Sequence, residues 1–228
     1  MPRNPGLALW WLPLACALLP GAAAHVALAL SVHAGLVPDC VPYWDGCTSI
    51  SRAGRHGLAA IVFKLVMLPC AVLQALHWLA ARHWLALSHP DPAAGRWLPP
   101  LGLVAGVALA VYVAFPGTDG GISRGMRRYG TIGYSAAPSL AQLLSRRRLA
   151  QLPQQPRGPY LAMAAVSVAM LALGLASTGI SAVAASGDDK DRLENLVEWH
   201  IGLMLTAWFL LQAAMWRRSR FGLVAVRD

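Results

Sequence analysis

Six apolar stretches, each about as long as a bilayer is thick, dominate this sequence. They cover residues 9–36, 56–80, 97–115, 127–145, 160–184 and 193–216. A helix needs about 20 apolar residues to cross the hydrocarbon core of a membrane. Only 13% of the residues are charged, whereas about 25% is usual for soluble domains. The sequence therefore predicts an all-α integral membrane protein, a single domain of six transmembrane helices without a sheet.

The first stretch has a second interpretation, a cleaved secretory signal. Arg3 precedes the apolar segment, and an Ala-Ala-Ala run at residues 22–24 resembles a cleavage site. The apolar character nevertheless continues to Val37, well beyond the roughly 7–15 residues of a signal. We therefore expect an uncleaved first helix that is kinked near Pro20.

The basic residues predict the orientation of the chain. With the N-terminus in the cytoplasm, eleven Lys and Arg residues lie on the cytoplasmic side of the spans and seven lie outside. Short cytoplasmic loops of membrane proteins carry the excess of Lys and Arg. We therefore expect both termini in the cytoplasm. The Arg-rich, Ala-rich composition indicates a bacterial source, and hence the cytoplasmic (inner) membrane.

The net charge of +9 does not indicate a nucleic-acid partner. The basic residues form short clusters at the ends of apolar runs, not a continuous basic face with interleaved aromatic residues. We expect membrane lipids as binding partners. A protein partner in a membrane complex is the alternative.

Two of the four cysteines, Cys40 and Cys47, share the first outer loop. A loop that faces an oxidising compartment favours a disulfide between them. The alternative is half of a metal site, but no second Cys/His pair with suitable spacing lies in the same loop. We therefore predict a disulfide that braces the loop, and no metal.

Lys64 and Glu198 are the base and the acid that fall inside the spans. At a rise of 1.5 Å per residue they lie roughly 12 Å and 8 Å deep, both in the outer half of the membrane. Charged residues at such depth are costly and usually find partners, so an ion pair between the two is predicted. Two interpretations stay open. The pair either only fixes helix packing, or it belongs to a polar pocket that binds a headgroup or another small ligand.

Three further residues, His33, His200 and Arg128, are candidates for the same pocket. His33 and His200 are the one histidine pair whose depths agree, which leaves haem-mediated electron transfer as a weak alternative. Histidines at interfaces and in polar contacts are the more ordinary interpretation, so no cofactor is expected. A Ser nucleophile elbow, a His-Glu-x-x-His pattern and a phosphate-binding Gly loop are all missing from the sequence.

The remaining alternative is a membrane enzyme that acts on lipid, with Glu198 as general base and Lys64 or His200 assisting. Such enzymes bring together more polar groups than the sequence provides. We therefore assign no catalytic residue and predict a non-enzymatic module that binds lipid or a partner protein. The pair Gly102-x-x-x-Gly106 in the third span is interpreted as a helix-packing face.

Short motifs follow the spans in order. They are Pro42-Tyr43, the Ser-Ile-Ser-x-x-Gly run at residues 49–54, Arg128-Tyr129-Gly130, and Glu-Asn-x-x-Glu-Trp at residues 194–199. In this arrangement the chain resembles the FRAG/DRAM/Sfk family, which includes damage-regulated autophagy modulators and a GPI-anchor lipid-remodelling factor. It is equally similar to a group of bacterial six-span proteins of unknown function. The resemblance implies a six-helix bundle with a short patterned outer loop, and an association with membrane lipids without an established catalytic mechanism.

Overall fold

Helices account for nearly all of the chain that the computed structural model describes, which is residues 7–88, 91, 93, 95–115, 121–149, 157–183 and 187–223. The helices are α1 (Trp11–His33), α2 (Pro42–Asp45), α3 (Ile50–Ala53), α4 (Gly57–Ser88), α5 (Leu98–Ala114), α6 (Gly121–Leu149), α7 (Arg157–Val183) and α8 (Asp188–Arg218). The predicted all-α class is confirmed. α1 continues through Pro20 as one helix.

Four of these helices are long and apolar enough to cross a membrane. The qualifying segments are Trp11–His33, Gly57–Leu87, Gly158–Ser177 and Asp189–Arg218. α5 is apolar but has only 17 residues, and α6 has 29 residues but is more polar and ends in three arginines. The chain is therefore a helical membrane protein, and the spans at residues 97–115 and 127–145 stay predictions.

The six long helices form a closed ring. Each one packs against the next in the order α1, α4, α5, α6, α7 and α8, and α8 returns to pack against α1. Helices that are joined by short connections and pack side by side run antiparallel. The C-terminal ends of α4, α6 and α8 therefore lie at one end of the ring, and the loop between α1 and α4 lies at the other.

Large aromatic side chains fill the end of the ring where the chain termini meet. Trp78, Trp208, Phe209 and Trp216 are fully buried there. A second cluster around Phe63, Tyr112 and Leu109 lies nearer the loop. In contrast, many leucines point outwards, and these include Leu65, Leu103, Leu161 and Leu175. An apolar exterior is what a helix bundle in lipid requires.

Two glycines allow α5 to approach α4 closely. A Cβ atom on Gly102 would lie 2.5 Å from Cβ of Trp78, and one on Gly106 would lie 2.7 Å from the carbonyl oxygen of Ala71. Real Cβ atoms do not approach other atoms so closely, so any larger residue would force the helices apart. The predicted packing role of Gly102 and Gly106 is confirmed.

A short antiparallel strand pair joins the two ends of the described chain. β1 (Leu7–Ala8) pairs with β2 (Gly222–Leu223), so the prediction that the chain has no sheet is wrong for these four residues. After α8 the chain turns back through Arg220, whose φ of 50° is left-handed. This turn places the buried Phe221 ring 4.9 Å from that of Trp216 and brings β2 beside β1.

Candidate functional site

The loop between α1 and α4 is cross-linked by a disulfide. Cys40 and Cys47 are bonded, with their Cα atoms 6.7 Å apart, which confirms the predicted pairing. Within the described residues, no group of three or more His, Cys, Asp or Glu side chains is arranged to hold a metal ion. The disulfide closes a segment that contains α2, and α3 follows immediately.

Side chains on one face of α8 hold this loop by its backbone. They are spaced three and four residues apart, so they lie on the same side of the helix. The bonds run from Arg192 Nε to Asp45 O (2.9 Å), from Asn195 Nδ2 to Gly46 O (2.8 Å) and from Trp199 Nε1 to Thr48 O (2.9 Å). Buried carbonyl groups of a loop need such partners. The loop is therefore docked onto α8 at successive residues.

Glu198, which is also in α8, contacts the loop from its inner side. Its Oε1 atom accepts hydrogen bonds from the Ser51 backbone N–H and from the Tyr112 hydroxyl, both at 3.2 Å. Ser51 belongs to α3 and the buried Tyr112 to α5, so three elements meet at one carboxylate. Oε2 takes part in no hydrogen bond with the described residues. Arg55, just beyond α3, interacts electrostatically with this carboxylate.

Lys64 does not pair with Glu198 in the structure, so the predicted ion pair is not formed between these two described residues. Lys64 is on α4 and Glu198 is on α8, two helices that each pack against α1. Lys64 is half-buried beside Ile61, Leu65 and Leu68, all of which are exposed on the outer surface of α4. It therefore lies at the edge of the surface that faces lipid.

Two of the other predicted pocket residues, His33 and His200, are not brought together. His33 is exposed at the last residue of α1, and no contact between His33 and His200 occurs among the described residues. The Nδ1 atom of His200 lies 2.8 Å from Leu196 O of its own helix. Arg128 lies within α6, but its side chain is outside the described part of the chain.

An aromatic cluster packs the docked loop against α1 and α8. The Trp199 ring lies 5.3 Å from that of Tyr43 and 5.4 Å from that of His25, and Tyr43 also lies 5.9 Å from His200. Nδ1 of His25 lies 2.7 Å from Gly21 O and must donate, so Nε2 accepts the bond from the Tyr43 hydroxyl at 3.1 Å. Burial raises the pKa of Tyr43, which keeps this donor protonated.

Sequence reasoning noted Tyr43 in the motif Pro42-Tyr43 but did not pair it with His25. The signal that was available is Pro42-Tyr43, placed inside the segment that the disulfide closes. Tyr112 was missed altogether, because one tyrosine in an apolar span carries no sign of its partner.

A charged groove of about 290 Å³ opens beside the disulfide on the outer face. Its lining includes Arg52 and Arg192 together with Asp45 and Asp191. Ser51, which bonds to Glu198, and Arg52 are neighbours in α3. α3 therefore lies between this mixed-charge groove and the Glu198 carboxylate.

Comparison of the chain with protein-family models, with curated proteins and with solved structures finds no match in any of the three.

Proposed function

We propose that the chain is a six-span protein of a bacterial inner membrane with both termini in the cytoplasm. The alternation of six long helices, the excess of basic residues at one end and the disulfide in the loop at the other end support this orientation. α5 and α6 cross the membrane in this arrangement because each packs between neighbours in a closed ring.

Reporter fusions test this topology. A green fluorescent protein fused after residue 228 should fluoresce, and alkaline phosphatase at the same position should be inactive. Phosphatase fused after residue 55 should be active, because the docked loop lies in the periplasm. The opposite pattern of activities would reverse the orientation, and equal activity at both positions would rule out an even number of spans.

Within that membrane, the geometry best supports a non-enzymatic module that binds a lipid headgroup or a partner at the polar site beneath the outer loop. The observation that carries this proposal is the Glu198 carboxylate. It is half-buried, and its two hydrogen bonds with the described residues both end on Oε1. A carboxylate in this position is costly unless a cation or a donor satisfies it. The ammonium group of a phospholipid headgroup has the required charge and donors.

The motifs that resemble the FRAG/DRAM/Sfk family fit the same proposal. Tyr43, Ser51 and Glu198 belong to them. Tyr43 joins the loop to α1 through His25, and Ser51 joins it to α8 through Glu198. Gly54, which ends the 49–54 run, allows a close contact: a Cβ atom there would lie 2.8 Å from the Phe63 ring. We propose that the resemblance reflects a docked outer loop above a lipid-binding site.

The Glu198→Gln variant tests the binding role, because it keeps the shape of the side chain and removes its charge. Native mass spectrometry of the wild-type protein, purified with phosphatidylethanolamine, should show retained lipid. The variant should retain about tenfold less, the equivalent of one charge-assisted contact of about 1.4 kcal/mol. Asp189→Asn is the matched control, since Asp189 is an exposed carboxylate at the start of the same helix.

Equal retention by the Glu198→Gln variant and the wild type would remove Glu198 from the binding site. The second candidate function, an enzyme with Glu198 as general base, is favoured only by the Tyr112 hydroxyl at 3.2 Å from the carboxylate. The same mass spectra distinguish the enzyme from the binding module. A bound lipid whose mass differs from that of the lipid supplied would show turnover and favour the enzyme.

A further inference from the structure

A second groove lies at the opposite end of the ring, between the start of α1 and the end of α8. It measures about 520 Å³, within the range of small-molecule sites. Its walls are Trp10 and Leu14 on one side and Leu210, Ala213, Ala214, Arg217 and Arg218 on the other. The α8 residues follow an i, i+3, i+4, i+7, i+8 pattern and so form one continuous face of the helix. This groove is separate from the Glu198 site.

The groove changes from apolar to basic along its length. Leu14, Leu210 and Ala214 line its apolar part, and small alanines leave a depression between the two helices. Arg217 and Arg218 are exposed in the last turn of α8, and none of the residues that line the groove is acidic. An apolar channel that ends at two cations matches a molecule with an acyl chain and an anionic head.

Arg217 is also held in place by a contact from α1. Its guanidinium carbon lies 5.4 Å from the centre of the Trp10 ring, at cation–π distance. Two arginines at a helix C-terminus would be favourable there even without a ligand, because of the helix dipole. The dipole does not account for the apolar floor or for the aromatic residue that positions one of the two guanidinium groups.

We propose that this groove binds an anionic phospholipid. Its phosphate accepts hydrogen bonds from Arg217 and Arg218, and one acyl chain lies along Leu14, Leu210 and Ala214. Basic sites between helices at a membrane interface favour anionic headgroups over zwitterionic ones. The proposal depends on neither the orientation of the chain nor the role of Glu198, since it rests only on the residues at this end of the ring.

Lipid exchange in nanodiscs tests the proposal. Protein in discs of equal parts phosphatidylglycerol and phosphatidylcholine is extracted and analysed by native mass spectrometry. The wild type should retain phosphatidylglycerol preferentially, and Arg217→Gln/Arg218→Gln should lower that preference about 30-fold, since each basic residue near an anionic headgroup contributes a factor of about five. Arg82→Gln/Arg147→Gln is the control, because both are exposed arginines near the C-terminal ends of α4 and α6.

A second variant fills the groove but keeps both charges. It distinguishes a shaped lipid-binding site from a general attraction of anionic lipid to the two arginines. Ala214→Phe places a ring over the apolar floor at an exposed position, so it should also lower retention of phosphatidylglycerol. Equal losses in the Arg217/Arg218 and control variants, or full retention in Ala214→Phe, would overturn the proposal. Asp189→Asn, which removes an exposed carboxylate at the start of α8, should leave retention of phosphatidylglycerol unchanged. Circular dichroism confirms that each variant is folded.

Discussion

Alanine at position 102 should destabilise the protein by about 3 kcal/mol, at the upper end of what overpacking usually costs. The added methyl group would lie 2.5 Å from Cβ of Trp78. Trp78 cannot move aside, because it is fully buried and its ring lies 5.4 Å from that of Trp208. α5 must therefore shift away from α4. Thermal unfolding in detergent should show a fall in Tm of roughly 6–12 °C.

Gly179→Ala is the matched control for this variant. Gly179 also lies inside a long helix, α7, but no described atom lies within 4 Å of an added Cβ there. Alanine should therefore leave Tm unchanged or raise it slightly, since glycine costs a helix about 1 kcal/mol relative to alanine. If Gly102→Ala melts like Gly179→Ala, α4 and α5 are not packed as closely as the structure shows.

The membrane class and the all-α fold could be predicted because apolar length is a property of each segment alone. The order of the helices around the ring could not, since it depends on which faces meet. Gly102 and Gly106 predicted that some helix approaches closely, without saying that Trp78 and Ala71 of α4 are the partners. The β1–β2 pair was missed because two-residue strands carry no periodicity, and their contact depends on the turn at Arg220.

The outer site was predicted in part. Glu198 was found because an acid in a span is conspicuous, and Cys40 with Cys47 because their loop is polar. Depth alone suggested Lys64 as the partner of Glu198, but depth does not report the direction in which a side chain leaves its helix. Lys64 leaves α4 beside the exposed Leu65 and Leu68, so it faces the lipid side. The contacts of Glu198 come instead from Ser51 and Tyr112, on elements far away in sequence.

Gly46→Ala should undock the outer loop from α8 while leaving the helix bundle folded. Gly46 has a φ of 62°, and the left-handed region costs other residues about 1–2 kcal/mol. In addition, a Cβ atom there would lie 2.8 Å from Cγ of Arg192 and 2.9 Å from Cγ of Leu196. With a Cβ atom at position 46, the loop cannot keep both its left-handed turn and its close approach to α8. The hydrogen bonds that Asn195 and Trp199 donate to it would be lost.

Hydrogen exchange provides the measurement. Backbone amides of residues 46–53 should exchange faster by about 100-fold, the equivalent of roughly 3 kcal/mol for the strained turn and two lost hydrogen bonds. Lipid retention should fall to the level of the Glu198→Gln variant, because Ser51 leaves the carboxylate with the loop. Far-ultraviolet circular dichroism should stay unchanged.

Gly35→Ala separates backbone strain from the contact with α8. Gly35 has a φ of 67°, but no described atom lies within 4 Å of an added Cβ. This variant therefore carries the cost of the left-handed backbone without a collision. It should leave exchange in residues 46–53 and lipid retention at the wild-type level. If the two glycine variants behave alike, the docking of the loop onto α8 does not depend on the close approach at Gly46.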